Sequence, residues 1–190
     1  MPGKPAARIT DPVSHPLPPV LGPGPGSPTV LIGYLPAWRG VPAAAAALQS
    51  AKKVSDAAIK TAEAATLAAA GTPAAPAAKA AEESTKATAA ATMGSMITSM
   101  AGGADIHTCA TPLPIPPHGP GVVVDGSTTV LINNLLACRQ GDTIVEAVGP
   151  PNKIAMGCLT VMIGDTGGGG AAQASALARA AKSGAALCEV

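Results

Sequence analysis

Three histidines and one cysteine are the residues of this chain best suited to bind a metal ion. His15, His107 and His118 are the only histidines in the sequence, and Cys109 follows His107 by two positions. Three imidazoles and one thiolate form a complete tetrahedral ligand set for structural zinc. In an extended segment, residues 107 and 109 point to the same side, so both can reach one ion. The sequence therefore predicts one structural Zn²⁺ with the ligands His15, His107, Cys109 and His118.

Cys158 is the competing fourth ligand. It precedes a Thr-Val-x-Ile run at the place where Ser27 and Ser127 precede two similar runs. We expect it at the opposite end of the repeated unit from His118, and we prefer Cys109. A site closed by four protein ligands has no position for a reactive water, which disfavours the alternative of a zinc-dependent hydrolase. The chain also lacks a Gly-x-Ser-x-Gly elbow and a phosphate-binding loop, so we expect no enzymatic activity.

The composition predicts a thin hydrophobic core. The 190 residues are 47% hydrophobic, but much of this fraction is alanine, and phenylalanine is absent. Domains with so little core commonly depend on a metal ion or on a partner. The formal net charge is +1 with scattered Lys and Arg, which gives no support to nucleic-acid binding.

The N-terminal residues carry no apolar segment of the kind found in secretory signal peptides. We therefore expect the protein to start in the cytoplasm. No uncharged apolar run reaches the roughly 18 residues of a transmembrane helix, so a transmembrane segment is not expected.

A repeated strand pattern positions the candidate ligands. Thr-Val-Leu-Ile at 29–32 recurs at 129–132 and, as Thr-Val-Met-Ile, at 160–163. Each copy is β-branched and bounded by turn residues, which predicts three short strands. His15 and His118 stand before the first two strands, and Asn152 stands before the third. Equivalent corners of such a repeat meet at one axis, which places the two histidines near each other.

A second repeat links each strand to an arginine. Residues 5–8 read Pro-Ala-Ala-Arg, residues 36–39 Pro-Ala-Trp-Arg and residues 136–139 Leu-Ala-Cys-Arg. An aspartate follows three positions after the first and last arginines, and the middle unit regains this spacing, with Asp105, only if residues 41–103 are removed. We interpret that stretch as an insertion, and we expect the β part to fold without it.

The insertion is rich in Ala, Lys, Glu and Thr and predicts two helices, at 43–70 and about 77–100, that form a hairpin. The Gly-rich residues 167–170 indicate a linker, and residues 171–188 are a last helical candidate. The predicted organisation is a discontinuous β domain of residues 1–42 and 104–165, a helical hairpin at 43–103, and a linker with a C-terminal helix at 166–190.

These motifs resemble the PAAR-repeat proteins, the small tips that sharpen the spike of type VI secretion systems and related contractile injection machines. Besides the Pro-Ala-Ala-Arg repeat, residues 6–15 match the pre-PAAR pattern AARxxDxxxH at every specified position. The resemblance covers about residues 4–42 and 104–165. It implies a mainly β fold, a short cone with three-fold pseudo-symmetry, whose apex is pinned by one Zn²⁺ on His15, His107, Cys109 and His118.

The resemblance also implies partners. The broad base of the cone would sit on a trimeric VgrG-type spike, and a toxic effector or its chaperone would bind through residues 43–103. The protein would leave the cytoplasm only at the tip of the apparatus, and it would meet a membrane only during delivery. The alternative is that this chain is the N-terminal delivery part of a PAAR-containing toxin. We expect the base to expose apolar residues of the three strands: Val30, Ile32, Val130, Ile132, Val161 and Ile163.

Overall fold

The computed structural model describes residues 3–14, 20–42, 44–109 and 118–164. Within these ranges the fold is mainly β, with eleven short strands and two long helices. The strands are β1 (Lys4–Ala6), β2 (Leu31–Ile32), β3 (Leu35–Pro36), β4 (Arg39–Gly40), β5 (His107–Cys109), β6 (Gly119–Val123), β7 (Leu131–Ile132), β8 (Leu135–Ala137), β9 (Thr143–Glu146), β10 (Asn152–Lys153) and β11 (Cys158–Ile163). The helices are α1 (Ala45–Ala68) and α2 (Ala75–Met100).

The strands form four small antiparallel sheets. The largest has the order β10-β9-β6-β5, and a second has the order β4-β8-β7. The other two are the pairs β2-β3 and β1-β11. The predicted combination of β structure with two inserted helices is therefore confirmed. The predicted C-terminal helix at 171–188 lies outside the described residues.

Two of the three repeated strands form tight hairpins. Strand β2 turns into β3 through Gly33 and Tyr34, and β7 turns into β8 through Asn133 and Asn134. These four turn residues have positive φ, between 52° and 68°. Two successive positive φ values define the type I′ turn, which matches the twist of a two-residue hairpin. Glycine and asparagine adopt this conformation readily, whereas Tyr34 does so at a cost.

The third repeated strand has its partner at the other end of the chain. Strand β11 pairs with β1, with Lys4 opposite Ile163 and Ala6 opposite Cys158. Ala6 belongs to the N-terminal Pro-Ala-Ala-Arg motif, so the first residues supply the strand that the last repeat lacks. We call the pairs β2–β3, β7–β8 and β1–β11 the strand units.

A closed ring of backbone hydrogen bonds joins the strand units. Ala7 N–H donates to the Cys138 carbonyl over 2.8 Å, Cys138 N–H to the Trp38 carbonyl over 3.1 Å, and Trp38 N–H to the Ala7 carbonyl over 2.9 Å. Each of these residues directly precedes one of the repeated arginines. Since every ring residue is both donor and acceptor, no unit can leave without breaking two bonds.

Each arginine next to the ring binds an aspartate in the same way. The arginine backbone N–H donates to Oδ2 over 2.8 Å, and its Nη2 donates to Oδ1 over 2.7 to 3.2 Å. Burial raises the pKa of Asp142 to about 6, although the hydrogen bond and the charge of Arg139 act to lower this pKa. The pairs are Arg8 with Asp11, Arg39 with Asp105, and Arg139 with Asp142.

The middle pair spans the insertion. Arg39 precedes the two helices, Asp105 follows them, and the Asp105 N–H also donates to the Arg39 carbonyl over 3.0 Å. Arg39 and Asp105, which would stand three positions apart without residues 41–103, are thus in direct contact. The insertion leaves and re-enters the β part at one point.

Replacing Asp105 by Ala should lower the free energy of unfolding by about 3–5 kcal/mol, because it leaves the buried guanidinium of Arg39 without its carboxylate. Urea denaturation of the variant and of wild type measures the difference. Glu83→Ala on the exposed face of α2 is the control and should change stability by less than about 0.5 kcal/mol. Equal midpoints for Asp105→Ala and wild type would contradict the prediction.

The expected apolar base is only partly exposed. Ile32, Ile132 and Ile163 are buried with Ala6 and Ala37 in one cluster inside the strand units. Alternate residues of a strand point to opposite sides, so the neighbours of these isoleucines face outward instead. The expectation that the isoleucines need cover from a partner was wrong, since the strand units cover one another.

The exposed apolar residues of the strand units are different ones. Leu159 is 71% exposed, Leu31 63% and Met162 53%, and Tyr34 at a hairpin turn is 95% exposed. Val130 and Val161 are each 36% exposed, which agrees with the expectation for these two positions. We call these residues the apolar strand-unit surface: Leu31, Tyr34, Val130, Leu159, Val161 and Met162.

The two helices pack on the β part as well as on each other. Leu48 of α1 and Met93 and Ile97 of α2 share a buried cluster with Val122 and Val145 of the large sheet. Removal of the insertion would therefore expose sheet residues, which argues against the expectation that the β part folds without it. Neither helix is long and apolar enough to cross a membrane, among the residues that the structure describes.

Candidate metal site

The large sheet brings His107, Cys109 and Glu146 together. His107 and Cys109 lie on β5 with both side chains buried and with exposed Thr108 between them. This alternation is the one that the sequence predicts for an extended His-x-Cys segment. Their side-chain ligand atoms and a carboxylate oxygen of Glu146 lie within 4.8 Å of one another.

A glycine between the two strands makes this approach feasible. Gly121 of β6 is paired with His107 on one side and with Glu146 on the other. A Cβ atom at Gly121 would lie 2.8 Å from Cγ of Glu146, closer than real contacts allow. Because glycine has no side chain, the Glu146 side chain can pass over β6 toward His107.

His118 contacts this cluster through the same carboxylate, although the ligand atoms that lie within 4.8 Å of one another are those of His107, Cys109 and Glu146. It lies directly before β6, and its Nδ1 is 2.8 Å from Oε2 of Glu146. The Asn152 amide donates to the same oxygen over 2.8 Å. The sequence placed Asn152 at the repeat corner that lacks a histidine, and the structure places it beside the site as a partner of the carboxylate.

His15, the remaining predicted ligand, lies outside the described residues. The preceding residue, Ser14, donates its backbone N–H to the Lys153 carbonyl over 2.7 Å. Ser14 therefore lies beside β10, the strand that carries Asn152. The role of His15 stays a prediction.

Cys158, the competing ligand, belongs to a different part of the fold. It is buried among the alanines and isoleucines of the strand units. Its Sγ is 3.2 Å from Oγ1 of Thr160, and this side-chain hydrogen bond lowers the pKa of the thiol. Cys138 is also buried elsewhere, and burial raises the pKa of its thiol well above the usual range. The geometry favours Cys109 over both.

Several buried atoms of the cluster lack hydrogen bonds. Both ring nitrogens of His107 and Oε1 of Glu146 have no hydrogen-bond partner among the described residues. His107 Nε2 and Glu146 Oε1 are 3.5 Å apart, outside hydrogen-bond geometry. Burying a carboxylate and an imidazole in this way is costly unless another group satisfies them. A divalent cation bound by Glu146 Oε1 and one ring nitrogen of His107 would satisfy these two atoms, and imidazole, thiolate and carboxylate are all zinc ligands.

Sequence analysis did not identify Glu146. Thr-Ile-Val-Glu at 143–146 matches an ordinary strand, and a single glutamate carries no ligand spacing. A signal was nevertheless present, since Glu146 interrupts the apolar run of residues 144–148 and an ionised residue in a buried strand normally has a specific partner. With an ion bound, the glutamate would be either a direct ligand or the carboxylate that orients His118 through Nδ1, an arrangement common around zinc.

No family model matches this chain, and no curated protein or solved structure is similar to it. The resemblance to PAAR-repeat proteins therefore depends on the motifs and their spacing. The metal site depends on the geometry of its buried residues.

Cys109→Ser should lose most of the bound metal, because it removes the thiolate ligand, and its melting temperature should fall toward that of the metal-free protein. Metal analysis of the purified variant tests this. Cys158→Ser is the matched control, a second buried cysteine outside the cluster, and it should keep its metal. The opposite result in the two variants would assign the ligand to Cys158.

Glu146→Gln should weaken metal binding by about 10- to 100-fold, because it keeps the size of the side chain but removes the charge that faces His107 and His118. Competition with a chromophoric chelator gives the affinity. Glu83→Gln, an exposed change on α2, should leave it unchanged. Wild-type affinity in Glu146→Gln would show that the carboxylate neither binds the ion nor orients its ligands.

Proposed function

We propose that this protein is a non-enzymatic spike tip similar to the PAAR-repeat proteins, which caps a trimeric VgrG-type spike. The observation that carries the proposal is the closed ring of backbone bonds among Ala7, Trp38 and Cys138, with an equivalent Arg–Asp pair beside each ring residue. A single chain that presents three similar units around one axis is suited to the end of a three-fold partner.

The turn contacts support the same arrangement. Asn133, at the turn of β7–β8, accepts from Ser27 Oγ over 2.6 Å and donates to Thr29 Oγ1 over 2.8 Å. Gly164, at the end of β11, accepts from Thr129 Oγ1 over 3.1 Å. In both cases the end of one strand unit bonds to a serine or threonine that stands just before the repeated strand of another unit. We interpret this succession as three-fold pseudo-symmetry.

The apolar strand-unit surface is the proposed contact with the spike. Its six residues are the majority of the ten most exposed large apolar side chains of the described residues, and none is a candidate metal ligand. All six belong to the strand units, and exposed apolar surface on one part of a fold is typical of a binding site. Tyr34 also supports a binding role for this surface. It is exposed and has a strained positive φ, and such strain is common at functional positions.

The metal ion has a structural role in this proposal. One Zn²⁺ would be held by His107, Cys109 and His118, with His15 as the predicted fourth ligand and Glu146 as ligand or orienting carboxylate. A tapering apex has no room for a hydrophobic core, and metal coordination would hold its converging segments together. Attachment of an effector or chaperone through the 43–103 hairpin is part of the same proposal.

Complex formation with a trimeric VgrG-type spike tests the function. We expect one chain per spike trimer, measured by size-exclusion chromatography with mass detection on zinc-loaded protein. Leu159→Asp should abolish the complex at micromolar concentration, because it places a charge in the apolar strand-unit surface. Val54→Asp, on the exposed side of α1, is the matched control and should bind like wild type.

A second variant separates binding from stability. The variant is Tyr34→Asn. The equivalent position in the turn of β7–β8 is already an asparagine, Asn134. The variant should fold at least as stably as wild type, because asparagine tolerates positive φ, yet bind the spike more weakly. Absence of a complex with zinc-loaded wild type, or equal binding by Leu159→Asp, would overturn the spike-tip function.

A further inference from the structure

Helix α1 contacts the loop that lies behind the candidate metal site. The Lys52 side chain is only 4% exposed, and its Nζ donates to the Gly149 carbonyl over 2.8 Å. The same ammonium forms an ion pair with Asp56, one turn along the helix. A buried ammonium is stable only when its donors are satisfied, so the carbonyl of the loop and the carboxylate together hold Lys52 in place.

Gly149 in turn packs against the ring of His118. A Cβ atom at Gly149 would lie 2.7 Å from Nε2, 2.9 Å from Cε1 and 3.1 Å from Cδ2 of His118, so the glycine backbone lies against the face of the ring at Nε2. In the plane of the ring, Nδ1 is fixed by its contact with Glu146, at 2.8 Å. The imidazole is therefore held between a carboxylate and a loop backbone, and its orientation depends on where the loop lies.

A cavity borders the ring of His118 beside this contact. It has a volume of about 460 Å³ and lies between the helices and the loop, with Ile59, His118 and Pro151 among its lining residues. On this side the ring is not covered by packed side chains. Gly149 also lines the cavity, and the hydrogen bond from Lys52 to its carbonyl keeps Gly149 against the ring.

We propose that Lys52 is a positioning residue for the metal site. Through Gly149 it holds His118 in the orientation that the ion requires, and it thereby couples docking of the inserted helices to retention of the metal. Thermodynamic linkage makes the coupling reciprocal, so the bound ion also stabilises the docked position of α1. The inference rests on the metal site of the proposed function but not on the spike partner.

The test compares Lys52→Met with Lys53→Met in the full chain. Lys53 is the next residue of the same helix and is exposed, so its variant controls for loss of one lysine from α1. Three quantities are measured for each protein: the rate of Zn²⁺ release to a chelator in excess, the rise in melting temperature on Zn²⁺ loading, and the visible spectrum after Co²⁺ substitution. The Co²⁺ spectrum reports ligand geometry, which a purely structural role of Lys52 would leave unchanged.

We expect Lys52→Met to release Zn²⁺ about 10-fold faster or more, in the range typical for loss of an outer-shell partner. It should also show a smaller rise in melting temperature on loading and an altered Co²⁺ spectrum, while Lys53→Met matches wild type. If Lys52→Met does not fold, Asp56→Asn removes the carboxylate that steadies Lys52 and should show the same changes to a smaller extent.

Two results would overturn the inference, and they are distinguishable. Wild-type release rate, melting shift and spectrum in Lys52→Met, with metal bound normally, would remove the role of Lys52 and leave the proposed function intact. Wild-type protein that takes up neither Zn²⁺ nor Co²⁺ would remove the metal site itself, and the inference with it.

Discussion

Three backbone hydrogen bonds, closed into a ring, are the interaction on which the rest of the β part depends. Backbone bonds of this kind constrain geometry without requiring large side chains, which suits a chain that has no phenylalanine. The ring residues Ala7, Trp38 and Cys138 differ in size, yet each supplies one N–H and one carbonyl. The neighbouring Arg–Asp pairs fix the turns that leave the ring. The arrangement therefore depends on main-chain geometry and buried charge more than on apolar volume.

Buried charge also dominates the candidate metal site. Glu146 is fully buried with two histidines and an asparagine around it, and part of its hydrogen-bonding capacity is unused. Such a group destabilises a fold unless it is paired or bound to a cation. Sheet register and the missing side chain at Gly121 place this carboxylate, and the loop at Gly149 places the His118 ring beside it. The site is specified by the sheet as a whole.

The sequence predicted local features with fixed spacing and missed features that depend on contacts between distant residues. The strands at 29–32 and 129–132, the two helices and the Arg39–Asp105 spacing each follow from short patterns of residue type. Glu146 could not be assigned, because its role comes from pairing across Gly121 to a strand 39 positions earlier. The burial of Ile32 was missed for a similar reason: a two-residue strand does not reveal which of its faces meets the other units.

The pairing of β1 with β11 has a consequence for how the chain folds. The ring and the third strand unit both need residues from the first and the last parts of the described chain, with Lys4 opposite Ile163. Contacts between residues so far apart in sequence carry a large loop-closure entropy, and folds rich in them form slowly. During synthesis the first strand must wait for almost every later described residue before it finds its partner. The contacts between the two helices are closer in sequence, and contacts of this kind form faster than those between distant residues.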